Sequence, residues 1–238
     1  MMDVHAEVVG SLLRPEELLD AQRRFAAGDI SLDQLVEAEN RAVDQAIALQ
    51  ESAGLEIVTD GEMRRQSFQS QMTAAVSGFG QVDLSAFLWG NWQDEKRAQA
   101  TPRPAGLGVT GRLVRQRYLS VSEFLYLKGR TSRIAKVTLP SPGLFVNFWS
   151  RDQAAYPTLD AFLADVVSIL RVEVEELTRQ GAEYIQLDAP HYGLLLDART
   201  RAFYEAQGWS LRKWLDAGVE LDNAVIDGFP HLTFALHV

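Results

Sequence analysis

This sequence predicts an α/β fold in which parallel strands alternate with crossover helices. Three observations carry the expectation. Apolar runs of strand length recur between longer segments of helical periodicity. The links between many of them are short, as parallel crossover units require. The runs also end on chemically capable residues. Gly10-Ser11, Asp60-Gly61-Glu62, Asp188 and His237 each close one, and the C-terminal tips of parallel strands are where α/β enzymes place their chemistry.

The bulk numbers suit that class. A chain of 238 residues is long enough for one large α/β domain or two small ones. The apolar share of 47% can fill a core, and the charged share of 23% is that of a globular protein. A net charge of -9 opposes nucleic acid as the main partner, because phosphate binding needs a basic face. No apolar run approaches the roughly 20 residues of a membrane helix. The segment Met1-Met2-Asp3-Val4-His5 lacks the basic-then-apolar pattern of a signal peptide, so the cytoplasm is the expected location. With no cysteine, the chain has neither disulfides nor a thiolate metal ligand.

In chain order, Ala6–Gly10 is predicted as the first strand, with Gly10-Ser11 allowing close backbone approach at its tip. Pro15 suits a helix start, and that helix is expected to run to Ala27 and stop at Gly28. Ser31 opens a second helix, with Gln34 in the capping-box position and Gly54 at its end. Leu32, Leu35, Val36, Ala42, Val43, Ala46, Ile47 and Leu49 mark its apolar side. Leu55–Asp60 is the second strand. From Phe79 to Val114 the pattern lapses into glycine, proline, tryptophan and basic residues, which predicts an inserted loop or hairpin within the one domain. Val121–Lys128 is helical, and Ile134–Leu139 is the third strand. Thr158 or Asp160 caps a long helix ended by Gly181. Tyr184–Asp188 is the fourth strand, a helix follows from Ser210 towards Ile226, and Leu232–His237 is the fifth strand.

Five strands in alternation with helices fit the first part of a (β/α)8 barrel, which takes about 250 residues when closed. A five-stranded piece leaves open edges. A doubly wound open sheet would avoid them, but the glycine fingerprint expected after its first strand is missing. The residues alone leave both architectures standing.

Four tip residues could carry chemistry: Ser11, Glu62, Asp188 and His237. Two carboxylates at neighbouring strand ends can grip an ammonium by charge-assisted hydrogen bonds. A serine beside free backbone N–H groups can hold a carboxylate, so the set suits an α-amino acid. The His237 imidazole could ligate zinc. Plainer alternatives stand beside three of them, and the neighbouring Asp60 has a turn role that leaves Glu62 as the functional acid of its tip. Ser11 could cap the next segment, Asp60 could hold the Gly61 turn through an Asx bond, Asp188 could be a turn residue and His237 a frayed end. His5, His191 and His231 read as structural or exposed.

The order of these stretches resembles a known family. The segments are Val9-Gly10-Ser11-Leu12-Leu13-Arg14-Pro15, Thr59-Asp60-Gly61-Glu62-Met63-Arg64-Arg65, Lys136-Val137-Thr138-Leu139-Pro140-Ser141-Pro142, Ile185-Gln186-Leu187-Asp188-Ala189-Pro190 and Ala235-Leu236-His237. Together they resemble the catalytic domain of cobalamin-independent methionine synthase, particularly its shorter single-domain relatives. The resemblance implies a (β/α)8 barrel with zinc at the C-terminal face, where homocysteine binds as thiolate and accepts a methyl group to give methionine. It implies that Ser11 meets the amino acid's carboxylate side, that Glu62 and Asp188 bind its amino group, and that His237 is a zinc ligand. The expected partners are homocysteine or another small thiol and a donor of the methylated-folate type. The family's cysteine and glutamate ligands would follow Val238, so residues 1–238 are expected to be a C-terminally incomplete barrel without activity of its own. Ala189 stands where an acidic residue often follows the strand-four aspartate. Other readings are a zinc thiol-alkyltransferase, a barrel of the uroporphyrinogen-decarboxylase type, and a non-catalytic module completed by a partner chain.

Overall fold

The computed structural model describes residues 6–65, 70–81, 107–149, 155–206 and 208–238. Among them, four strands form one parallel sheet: β1 (Ile57–Val58), β4 (Ile134–Pro140), β5 (Tyr184–Asp188) and β6 (Thr233–His237), hydrogen-bonded in that order. The remaining strands, β2 (Val76–Gln81) and β3 (Leu107–Arg115), pair antiparallel as a separate hairpin.

The helices follow local chemistry. α1 (Glu16–Ala27) starts after Pro15 and ends at Gly28, whose φ of 81° suits a residue without a Cβ. α2 (Leu32–Ser52) carries the full capping box between Ser31 and Gln34. Its buried side is Leu35, Ala38, Ala42, Val43, Ala46 and Ile47, whereas Leu32, Val36 and Leu49 are exposed. α3 (Ser70–Ala75) leads into the hairpin, and α4 (Val121–Lys128) follows it. A 3-10 segment, Pro142–Phe148, caps the tip of β4. Thr158, rather than Asp160, caps α5 (Leu159–Arg179) by accepting from the Ala161 N–H. Two short helices not expected from the sequence, α6 (His191–Leu194) and α7 (Ala198–Ala206), fill the loop after β5. The helix opened by Ser210 runs as α8 (Leu211–Lys213), a π segment (Trp214–Gly218) and α9 (Val219–Ile226).

The main core lies between the sheet and the layer of α5 and α9. Val137, Leu139, Ile185 and Leu187 face Phe162, Val166, Leu170 and Val174, all buried. Strand side chains alternate, so the opposite face of the sheet carries Lys136, Thr138, Gln186, Asp188 and His237. That polar face corresponds to the interior of a barrel.

The expected first strand needs correction. Residues 6–10 have no ladder partner among the described residues. Long side chains of the sheet take their carbonyls instead. Lys136 Nζ donates to Val8 O at 2.5 Å, and Gln186 Nε2 donates to Val9 O at 2.7 Å. A salt bridge from Lys136 to Glu7 at 3.2 Å and a hydrogen bond from the Tyr184 hydroxyl to Glu7 at 3.1 Å complete the tether. The second strand also shortens, from Leu55–Asp60 to Ile57–Val58, because the tip beyond it is bound by side chains.

The expected excursion over Phe79–Val114 is carried on the hairpin, whose arms span 76–81 and 107–115. Its middle, with Trp89, Trp92, Lys96, Arg97 and Arg103, lies outside the described residues. The arms pack over the tip of β4. Phe79 meets Phe145 and Phe148 at 6.3 and 5.7 Å, and the Leu113 N–H donates to the Tyr156 hydroxyl at 2.8 Å.

Candidate active site

The turn after β1 is fixed from several sides. Gln50 clamps Thr59, accepting from its N–H at 2.9 Å and donating to its carbonyl at 2.8 Å. Thr59 Oγ1 accepts from the Gly61 N–H at 3.1 Å. Asp60 Oδ1 accepts from the Glu62 N–H at 2.9 Å, which is the Asx bond expected for it. Gly61 has φ 66°, and a Cβ there would meet Met63, Ala46 and Leu12 side-chain atoms at 3.1 to 3.3 Å. Glu62 itself has φ 54°, a left-handed conformation that costs a non-glycine residue about 1–3 kcal/mol. The surrounding bonds hold it there.

The Glu62 carboxylate is buried and accepts three hydrogen bonds. Ser11 Oγ donates to Oε2 at 2.5 Å. Thr138 Oγ1 and Arg65 Nη1 reach Oε1 at 3.0 and 3.2 Å. Ser11 does not cap a helix. It is exposed and bonded across the site mouth. Arg14 ties the two segments together, donating from Nη2 to the carbonyls of Glu62 at 3.0 Å and Arg65 at 2.5 Å. The Leu12 N–H is taken by the Gly61 carbonyl at 3.1 Å.

Asp188 ends β5 directly opposite His237 in register. Its Oδ1 accepts from Gln186 Nε2 at 2.6 Å and lies 3.1 Å from His237 Nδ1. Burial raises the Asp188 carboxyl above its ordinary range, against those two bonds, and the nearby charge of Glu62 raises it further. The two carboxylates are linked to adjacent strands, since Glu62 accepts from Thr138, which pairs with Gln186, the donor to Asp188. Lys136 lies beneath them. Burial lowers its ammonium, opposed by Glu7 first and then by Asp188 and Glu62.

The four residues singled out from the sequence thus fall into two bonded pairs, Ser11 with Glu62 and Asp188 with His237. Sequence reasoning missed the supports: Arg14, Arg65, Thr138, Lys136 and Gln186. A signal existed for two of them. Lys136 and Gln186 are polar residues in the middle of strands that otherwise read as buried, and such residues need partners. His191 is not part of the site. It is fully buried against Tyr192 and Trp214, at ring distances of 4.3 and 5.0 Å. His5 lies outside the described residues.

His237 has the geometry of a metal-ligating imidazole in one respect. Its Nδ1 faces a carboxylate, which leaves Nε2 as the nitrogen for a metal. The complete donor set is not found among the described residues. Among the described residues no group of three or more His, Cys, Asp or Glu side chains could hold a metal ion, and the chain has no cysteine. The described residues do not make up a zinc site.

Parallel strands with helices outside, a polar inner face and carboxylates at the strand tips are the arrangement of a barrel-type α/β domain. The model of the cobalamin-independent synthase catalytic domain matches residues 5–225, and the chain belongs to that family. A methionine synthase of Pyrococcus abyssi is 32% identical over 187 residues, covering 77% of this chain and 51% of its own. The Bacillus subtilis protein YxjH is 24% identical over 237 residues, covering 98% of this chain and 60% of its own. The chain therefore spans about half to three fifths of these relatives' length. A B12-independent methionine synthase from Shewanella sp. W3-18-1, solved with selenomethionine, superposes with a TM-score of 0.71 at 20% identity over 98% of this chain and 60% of its own. A candidate enzyme of the same kind from Listeria monocytogenes gives 0.72 at 22% identity, over 99% and 65%. These likenesses establish the barrel-type fold. No described helix is long and apolar enough to cross a membrane.

Proposed function

We propose that this chain provides the amino-acid grip of a methyltransferase that methylates the thiol of homocysteine to give methionine. The observation that carries the reading is that two buried carboxylates are bonded to residues paired across β4 and β5 on the polar face of the sheet, Glu62 to Thr138 and Asp188 to Gln186. Like charges in a low-dielectric site repel, and an ammonium between them relieves the repulsion while satisfying its own donors. Ser11 now places a hydroxyl donor on Glu62. On binding, the ligand ammonium takes that acceptor, and the Ser11 hydroxyl is freed for the ligand carboxylate. The names of the relatives support homocysteine as acceptor. One of them, from Thermosynechococcus vestitus, is a 5-methyltetrahydropteroyltriglutamate–homocysteine methyltransferase, 24% identical over 212 residues. That name also favours a methylated folate as donor.

Zinc, which in this family would hold the sulfur as thiolate, finds one candidate ligand here, His237. Residues 1–238 then form one barrel-type unit that carries an inserted arm over 79–114.

The test is homocysteine affinity by calorimetry. Glu62→Gln and Asp188→Asn are each expected to weaken binding about 10- to 100-fold, the worth of a hydrogen bond between charged groups. Unchanged affinity in both variants would remove the grip.

A further inference from the structure

Arg65 stands three residues beyond Glu62 and is only 4% exposed. A buried guanidinium with all its donors on one carboxylate would cancel the charge that an ammonium needs. Arg65 is not arranged that way. Nη1 serves Glu62 Oε1 at 3.2 Å and Thr138 Oγ1 at 2.6 Å. Nε and Nη2 both donate to Glu123 Oε2, at 3.1 and 3.0 Å. The shorter and more numerous charged contacts belong to Glu123.

Glu123 is fixed from behind. It lies in the first turn of α4 and also accepts from Gln71 Nε2 at 2.8 Å. The start of α4 is held by the buried Glu173 carboxylate of α5, which accepts from the N–H groups of Leu119, Ser120 and Val121 at 2.8, 2.7 and 3.2 Å. A helix N-terminus favours such an anion. A continuous set of bonds therefore runs from α5 through α4, Glu123 and Arg65 to Glu62.

We propose that Arg65 and Glu123 are positioning residues for Glu62: Arg65 fixes its carboxylate, and Glu123 takes most of the guanidinium's charged contacts, so that the charge of Glu62 is left less compensated for a bound ammonium. The inference rests on the reading of Glu62 as an ammonium acceptor. The groups facing Glu123 are Arg65 and Arg64, which are cationic, Asp60, which is anionic, and the Gln71 amide. Burial pushes the Glu123 carboxyl up to about 7, with Arg65 opposing and Asp60 adding to the shift. As pH falls through that range Glu123 takes a proton, Arg65 swings its charge towards Glu62, and the ammonium is held less well.

The experiment is calorimetric binding of homocysteine and of 4-sulfanylbutanoate, the same thiol acid without its amine, to the 238-residue chain from about pH 6 to about pH 8. Taking the ratio of the two affinities cancels the titration of the thiol. The unsubstituted chain is expected to lose about tenfold of that ratio on acidification, about 1.4 kcal/mol. Glu123→Gln is expected to show the low-pH ratio at every pH, and Arg65→Lys to lower it throughout. A ratio that is flat with pH in the unsubstituted chain and unmoved by Glu123→Gln, with Glu62→Gln still weakening homocysteine, overturns the positioning role alone. No homocysteine binding, or binding indifferent to Glu62→Gln, overturns the underlying reading and this inference with it.

Discussion

Glu62 shows how a single residue is made ready for a ligand. Its left-handed backbone is unfavourable, yet Asp60, Thr59, Gln50 and Arg14 bond the turn so fully that the conformation persists. Energy spent on local geometry in the fold reduces what binding must later supply. His191 is the contrasting case, a titratable residue kept out of the chemistry. Both its ring nitrogens are buried without hydrogen-bond partners, and burial drives its pKa down to about 3 from an ordinary 6.5. The folded state refuses a proton that the unfolded state accepts. Stability from the neutral ring is therefore complete above about pH 6.5 and is lost as pH falls towards 3. His191→Leu is expected to reduce the loss of unfolding free energy between pH 7 and pH 5 by about 2 kcal/mol, read by urea denaturation at both values. An equal loss in the variant would mean that the ring is hydrated in the folded protein. At this scale the sequence revealed the tip residues, because an acid that ends an apolar run stands out. It did not reveal the pairing of Arg65 with Glu123, because two surface-like residue types far apart in the chain carry no mark of meeting.

At the scale of elements, local chemistry was readable and lateral placement was not. The capping box of α2 and the glycine stop of α1 involve residues within a few positions of one another, and both form as expected. Segment 6–10 has the apolar pattern of a strand, yet its carbonyls go to Lys136 and Gln186 rather than to a neighbouring ladder. That outcome depends on which strand lies alongside. Lys136 is thus an anchor for the stretch that delivers Ser11 and Arg14. Lys136→Met keeps the length and removes the charge, leaving Glu7 and the Val8 carbonyl without this donor. It is expected to cost about 3 kcal/mol of stability, measured by denaturant unfolding, and to weaken homocysteine binding through displacement of Ser11. A variant as stable as the parent would show that the tether is dispensable. The π segment at Trp214 had no sequence mark, since the periodicity of Leu211–Ile226 reads as a helix throughout.

For the whole molecule, alternation did most of the work. One face of β4 and β5 packs on α5, and the other gathers Lys136, Thr138, Gln186 and Asp188 into a charged interior. The tips of β1, β5 and β6 and the tethered segment 6–14 bring Ser11, Glu62, Asp188 and His237 together from segments that are far apart in sequence. That convergence was visible before the structure only as an order of motifs. The measurement closest to the central claim is a crystal structure of the chain with homocysteine. The expected result is an amino nitrogen within hydrogen-bonding distance of both the Glu62 and Asp188 carboxylates, with the ligand carboxylate beside Ser11. A ligand bound elsewhere, or bound here with its amino group turned to solvent, would contradict the account.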